Sequence, residues 1–580
     1  MKDQRPWTYE PHVAEMIFND LVREAGVEVF LGQWLVKADQ SNRRLNGFTT
    51  QRGDTFRAKI FVDASYEGDL LPAAKVSYTV GREGKKQYGE SFAGHQFPKK
   101  PVAVSPFAAD GSLLPLMTAR DAGKDDGDEK IMAYSFRLSI TTNEAKRVAI
   151  KKPANYDPAQ FELHRRFLKA NPNNRLLFDI YPLPNGIADA NNSIGGQISF
   201  AMPGASWAWP DAGWDQRMKI FQQHKDYTQG LLWFLGNDPD VPERLRKEMQ
   251  QWGLVKDEFA KFDHWPPVLY VREGRRMIGD YIFTQSDVLT NITKPDSVAV
   301  GSFPIDSHDC QRIPTADGGF INEGTIFPVR LAIRKIGQPH QIPYRSLTPK
   351  ASECENLLVP VALSCSHVAI SSIRVEPTWM TLGQSAGIAA AMAVKKNVAV
   401  QKLPYADLRG RLLAQKQVLD LHEIKPLPEA KPAGAMGLDS KSFPGIVLDD
   451  TDAVVKGAWD HSTNFRPYIG TGYLSDGNSD KGGKELIFTP AIPKTGLYDL
   501  RIAYSAHATR ATNVLISVEN GGQRQSATFN QQTPLPKEER FRSAGQFNFT
   551  TGTNNRITIR NIDTEGFVIV DAVQLIPASK

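Results

Sequence analysis

Residues 425–444 limit most sharply what this chain can fold into. They read KPLPEAKPAGAMGLDSKSFP, crowded with proline, glycine, alanine and serine and showing neither helical nor strand periodicity. Such a segment is a spacer between folded bodies. A division is needed in any case, because 580 residues exceed what a single core serves. Downstream, residues 445–580 break into short alternating strands: ELIFTPAIP, GLYDLRIAYSA, TNVLISVE, QRQSATFN, GQFNFTT, RITIRN and FVIVDAVQLI. Asn520-Gly521-Gly522 is a hairpin signal between two of them. That half predicts an all-β sandwich of about the usual ~100-residue size.

The net charge of +5 is small for this length and no block of like charge occurs, so composition offers no case for nucleic acid or an anionic membrane as partner. No apolar run approaches the ~20 residues of a membrane span, so no transmembrane segment is expected. The opening MKDQRPWTYEPH lacks the apolar core of a signal peptide. Cys310, Cys354 and Cys365 are scattered, which argues against zinc or a four-cysteine iron–sulfur cluster, and no metal site is expected. Cys365 is either redox-active or an ordinary buried thiol.

Upstream of the spacer the texture is α/β. Residues 11–25 have an amphipathic period, with Pro11 in the first turn and Gly26 to end the helix. VEVFL at 27–31 reads as a buried strand, followed by an antiparallel excursion through 35–38 and 45–50 and a turn at Arg52-Gly53-Asp54. IFVDASYEGD at 60–69 is an apolar strand that stops abruptly in acids and glycine. This order suits the second half of a doubly wound nucleotide-binding fold, whose ligands sit beyond the carboxyl ends of the strands. Residues 85–340 add a strand at 132–140, a helix at 212–233 and Pro/Asn-rich loops, predicting an inserted α+β substrate domain. The chain then returns to the first fold at 341–424. LLVPVALS gives another apolar strand there, and a helix opens at Pro377 with Gly383, Ala386, Gly387 and Ala390 on one bare face. The expected organisation is 1–84, 85–340, 341–424, a linker at 425–444 and a sandwich at 445–580. The fold class is thus α/β, a partial doubly wound fold with an inserted α+β domain, followed by an all-β sandwich.

Several long segments are similar to a family of FAD-dependent oxidoreductases, classed with flavoproteins of the heterodisulfide reductase type and often found with exported polysaccharide-processing proteins. They are YEPHVAE, VDASYEGDLLPAA, SYTVGRE, YGES, LYVREGRRMIGDY, VGSFPIDSHDCQR, IPYRSL and ENLLVPVALSCSHVAISSIRVEPTWMTLGQSAGIAAA, spanning 9 to about 420. GAWDHST, YIGTGYL, FTPAIPKTGLYDLRIAY and VIVDAVQL resemble the β-sandwich appended to golvesin and xanthan lyases.

The resemblance implies FAD. Its diphosphate and ribityl chain would pass the acidic loop, making Asp63, Ala64, Glu67, Gly68 and Asp69 cofactor contacts, and the helix after Pro377 would add Gly383, Gln384, Ala386 and Gly387. Family members begin with a strand, a glycine-rich turn and a helix that carry the pyrophosphate. No GxGxxG follows a strand here, so FAD binding is expected to be weak or absent in a chain that enters downstream of that motif. His308 and His367 are acid–base candidates, and Arg345 and Arg374 could clamp an anionic or polyhydroxylated substrate or the reduced flavin. Each could equally be a structural side chain, held by hydrogen bonds or by a neighbouring carboxylate. Arg272, Arg275 and Arg276 read as a solvated or salt-bridged face. In NGIADANN the resemblance implies a lysine where this chain has Ile187. Trp459, Tyr468 and Tyr473, with Asp460, either form a sugar platform or fill the sandwich core. Two readings follow: a flavoenzyme acting on a small carbohydrate-like substrate, with possible polysaccharide binding through 445–580, or a truncated, inactive remnant that works only through its sandwich. The compartment is left open, although such relatives are often exported.

Overall fold

The computed structural model describes residues 8–98, 101–121, 123, 126–172, 178–193, 196–290, 292–326, 339–421, 438–462, 467–535 and 539–578. The chain separates into two compact units, Met1–Ile424 and Lys425–Lys580. Much of the expected linker, residues 425–437, lies outside the described residues. No helix among the described residues is long and apolar enough to cross a membrane.

The first unit opens with the helix Pro11–Ala25, which proline starts and Gly26 ends in the left-handed region at φ 62. No residue of this helix is buried. Residues 27–31 form no strand, and Leu31 is 80% exposed. A strand exists only where a neighbouring strand takes its backbone N–H and C=O groups; here no described strand pairs with the segment, and Val27 N–H instead closes the helix end on Val22 O, which corrects the expectation for VEVFL. An antiparallel sheet follows, Leu35–Ser41, Arg44–Thr50 and Thr55–Arg57. Phe61–Val62 then pairs in parallel with Leu357–Leu358. Among the described residues the expected doubly wound sheet is represented by this single parallel strand pair.

The middle of the unit is an antiparallel sheet in the order Ile180–Pro182, Ala188–Ala190, Leu138–Thr141, Gly253–Val255, Arg147–Val148. The helix Trp214–Asn237 packs into the same core through Tyr227, Leu231, Phe234 and Leu235. Only the end of the strand expected at 132–140 is extended ladder. Before it, Met132, Tyr134 and Phe136 are wholly buried, but their backbone bonds loops instead: Ala133 N–H donates to Asp309 O and Tyr134 N–H to Ser206 Oγ. A further core gathers the helices His367–Ile373, Glu376–Lys396 and Tyr405–Ala414.

The second unit is a sandwich. One sheet runs Ile446–Asp449, Ala572–Pro577, Gly496–Ala503, Arg542–Phe549. The other runs Val454–Lys456, Glu485–Phe488, Arg556–Arg560, Val514–Asn520, Gln523–Phe529. The last two strands turn through Gly521 and Gly522 at φ 48 and 85, the two positive values that a two-residue hairpin needs. Tyr468 and Tyr473 are core residues beside Phe488, Ile559 and Leu575. Trp459 packs against that core with its Nε1–H donated to Lys456 O, so a three-ring sugar platform does not form.

Candidate active site

The acidic loop after Phe61–Val62 is turned toward its own protein. Asp63 Oδ1 accepts from Ser65 N–H (3.0 Å) and Oγ–H (2.6 Å), and Oδ2 accepts from Leu70 N–H at 2.9 Å. The carboxylate therefore ties the loop to the helix Leu70–Ala73, and its burial raises its pKa. Asp69 meets Arg217 through both oxygens (2.7 and 2.8 Å) and Arg275 at 2.7 Å. Burial opposes its charge, but the two guanidinium groups outweigh burial and lower its pKa. Glu67 Oε1 accepts from Trp209 Nε1–H at 3.2 Å, and burial raises its pKa. Gly68 sits at φ 65, where an added Cβ would come within 2.8 Å of Ala362 Cβ. Ala64 is exposed. These three carboxylates clamp the loop, and Asp69 fastens it to the helix that carries Arg217.

The strongest convergence of chemistry lies around His308. Arg272 donates from Nη2 to Asn192 Oδ1 and to Ser135 Oγ, each at 2.8 Å, and from Nη1 to Ala133 O at 2.7 Å. With Oδ1 so occupied, Asn192 presents Nδ2–H to His308 Nδ1 at 3.1 Å. His308 Nδ1 must then be the unprotonated nitrogen, which leaves the proton on Nε2. Burial first, then Arg272, Arg374 and Arg137, hold the His308 pKa well below its ordinary 6.5. It is thus a fixed neutral imidazole, suited to donate a hydrogen bond and poorly suited to take up a proton.

Charge around it does not balance. Arg137 is paired with Asp189, and Arg374 donates to Asp306 O at 2.9 Å with the Asp306 carboxylate 3.5 Å away. Arg272 is 1% exposed and has no carboxylate within 4 Å among the described residues; its Nε has no hydrogen-bond partner there. Tyr270 lies under it as a cation–π partner at 4.9 Å. One buried positive charge is left for an anionic or strongly polar oxygen.

Of the four side chains expected to act in chemistry, His308 and Arg374 come together. His367 is at the other end of the helix His367–Ile373, roughly 10 Å along by helical rise. Its Nδ1 faces Glu273 at 2.8 Å, a carboxylate shared with Arg276, and its backbone N–H donates to Glu83. Arg345 pairs with Asp296 at 3.0 Å and stacks on Tyr281, in neither group. Burial pushes the Cys365 thiol far up, which suits an inert side chain. Ile187 is in the interior at 4% exposure. Asn192 was missed by sequence reasoning, and Arg272 was taken for a solvated or salt-bridged charge; only their mutual bond distinguishes them. The bare face of Glu376–Lys396 also divides: Ala386 is core, whereas Gly383, Gln384 and Gly387 face outward, and a Cβ on either glycine would meet nothing within 4 Å.

The sequence profile of the FAD dependent oxidoreductase family matches residues 1–412, and that of the Golvesin C-terminal domain matches 446–577. The chain belongs to the FAD dependent oxidoreductase family and carries a golvesin-type C-terminal domain. A curated xanthan lyase of Bacillus sp. (strain GL1) is 26% identical over 150 residues, which are 25% of this chain and 16% of that protein. Among solved structures, Paenibacillus xanthan lyase is similar at 30% identity over 23% of this chain and 13% of its own, with a TM-score of 0.22. A family 35 carbohydrate binding module from Clostridium thermocellum is similar at 21% identity over 23% of this chain and 98% of its own, with a TM-score of 0.19. The chain therefore spans only a small part of the lyases it matches.

Membership implies FAD, and the residues present suit its flavin end. The 21-residue helix Glu376–Lys396 begins two residues after Arg374, and no side chain caps its N-terminus. That end carries partial positive charge, which favours the pyrimidine edge of a flavin as it gains electrons. Tyr66, partly exposed and edge-on to Trp379 at 5.2 Å, stands at the same helix start. The outward Gly383 and Gly387 leave room for close approach. Asp63, Glu67 and Asp69, at the other expected contact, each already have a protein partner.

Proposed function

We propose that this protein is an FAD-dependent oxidoreductase that oxidises a hydroxyl or amine on an anionic, carbohydrate-like substrate, held near polymer by its golvesin-type domain. The observation that carries this reading is the buried Arg272 with no carboxylate partner among the described residues, joined through Asn192 to His308. The substrate's negative group would offset the Arg272 charge, and His308 Nε2–H would hold the oxygen beside the reacting carbon, the proton lost from that oxygen passing to solvent because the neutral His308 does not accept it. FAD, when bound, supplies the two-electron acceptor. The uncapped end of Glu376–Lys396 and the glycines Gly383 and Gly387 would lie against it. Support for the glycan role of the sandwich comes from the golvesin domain and from the named activity of its lyase relative.

A second reading, a binding protein whose flavin fold is inert, is favoured by the inward-turned Asp63, Glu67 and Asp69. One experiment separates the two. The purified chain is supplied with FAD, desalted, and its visible spectrum recorded. Retained flavin supports the oxidoreductase reading, and reduction by uronate-containing oligosaccharides, lost in His308→Gln, supports the substrate class. A folded, colourless protein that still binds polysaccharide refutes it in favour of the second.

A further inference from the structure

A 310 Å³ pocket opens on the inserted region, sharing no lining residue with the His308 cluster. That volume is at the lower end of the roughly 300–1,000 Å³ typical of small-molecule sites. Its wall mixes an apolar face of Met117, Met202 and Trp207 with the polar groups of Thr118 and Tyr227, and Gln223 stands at an exposed rim. Arg312 also lines it, although this residue is only 1% exposed.

The cation is fixed from behind. Nε donates to Asn322 Oδ1 at 2.7 Å, Nη2 reaches Gln197 O at 3.4 Å, and the guanidinium lies over the Phe320 ring at 5.6 Å. No carboxylate of a described residue comes within 4 Å of it; Asp309 is linked to it through the Asn322 amide, whose Nδ2 donates to Asp309 Oδ2 at 3.0 Å. A buried guanidinium without a directly opposed charge is costly unless something else neutralises it. The pocket walls are also held firmly. Thr118 N–H donates to Arg312 O at 2.9 Å, and the Arg312 N–H donates back to Thr118 Oγ1 at 2.9 Å. Gly204, at φ 86, lets the opposite loop close on Thr118, where a Cβ would come within 2.6 Å of Cγ2. Leu116, a non-glycine residue at φ 72, holds strained backbone at the same wall. Trp207 is anchored by its Nε1–H to Cys310 O at 2.9 Å, and Tyr227 by its hydroxyl to Ser199 O at 2.8 Å.

We infer that this pocket binds a small aryl carboxylate, with its carboxylate on Arg312 and its ring against Trp207, Met117 and Met202. The Arg312 charge calls for an anion, and the face formed by Trp207, Met117 and Met202 gives a flat apolar ring a surface to lie against.

The two methionines give a local readout in the full-length protein. With 13C-labelled methionine methyl groups, titration with benzoate shifts the Met117 and Met202 resonances, and titration with benzamide, the neutral isostere, does not. Arg312→Gln weakens the benzoate response roughly tenfold to a hundredfold, the loss of a charged hydrogen bond. Gln223→Trp, which blocks the mouth from an exposed helical position, abolishes it and decides the matter if Arg312→Gln does not fold. No shift at either methionine with benzoate, an equal response to benzamide, or a response that survives Gln223→Trp overturns the inference.

Discussion

Replacing Arg217 by methionine tests whether the acidic loop is a clamp. Arg217 is 1% exposed, its two Nη atoms meet Asp69 at 2.7 and 2.8 Å, and it also donates to Trp209 O and Pro210 O at 3.0 and 2.9 Å. Methionine retains the apolar stem between Trp209 and Trp214 and removes only the polar part. Breaking a buried pair by deleting one partner costs about 3–5 kcal/mol. Arg275 still faces Asp69, which limits the exposed charge, while two carbonyls lose their donor, which adds to the cost. The first unit spans Met1–Ile424, and at about 2.1 cal/mol/K per residue its unfolding entropy is about 0.9 kcal/mol/K. The expected loss in Tm is therefore about 3–6 K by scanning calorimetry. The Asp69→Asn and Arg217→Met double variant should lose clearly less than the sum of the single losses, because both remove one interaction. A Tm within 1 K of the parent, or simple additivity, would refute the clamp.

Three further outcomes are expected. In 15N-histidine spectra, His308 stays neutral at pH 6.5 with a pyridine-like Nδ1, and Asn192→Leu leaves it neutral but releases the tautomer so that the proton is no longer fixed on Nε2; an imidazolium signal in the parent contradicts the Arg272–Asn192–His308 arrangement. Gly68→Ala, forced to φ 65 with its Cβ against Ala362, lowers stability by about 1–3 kcal/mol, read from urea midpoints, and an unchanged midpoint removes the strain argument. In the sandwich, burial raises Asp450 and Asp571 to about 8 from an ordinary 3.8. The folded unit thus holds protons that the unfolded chain has released across that window, so its stability is greatest at low pH and falls as pH rises toward 8. Asp450→Asn should flatten that fall in calorimetric scans, and a parent equally stable at both ends of the window would contradict it.

What was legible in the sequence is what local chemistry decides. Proline at position 11 and glycine at 26 bound a helix wherever they fall around an amphipathic period, and the structure ends that helix on the same two residues. The same holds for the Gly521-Gly522 turn and for the alternating strands of the sandwich, whose faces are set by a period of two. The family segments were legible too, because they are long and ordered.

The site depended on partners far apart in the chain. Nothing near Asp69 announces Arg217, 148 residues away, and so the bracing part that these acids play could not be read from the sequence. Asn192 and His308 are 116 residues apart, and Arg272 and Asn192 are 80 apart. Local pattern alone could nominate His308 as an acid or base. Its neutral state follows from burial among arginines and its tautomer from the packed amide, since which nitrogen holds the proton is set by what the other one accepts. VEVFL failed for the same reason in reverse: an apolar run specifies a strand only when a neighbour completes its hydrogen bonds. By itself, the sequence determined the two-part division, the local elements and the family. The tertiary structure decided which charges are neutralised and which remain over, because that is a property of groups brought together from across the chain.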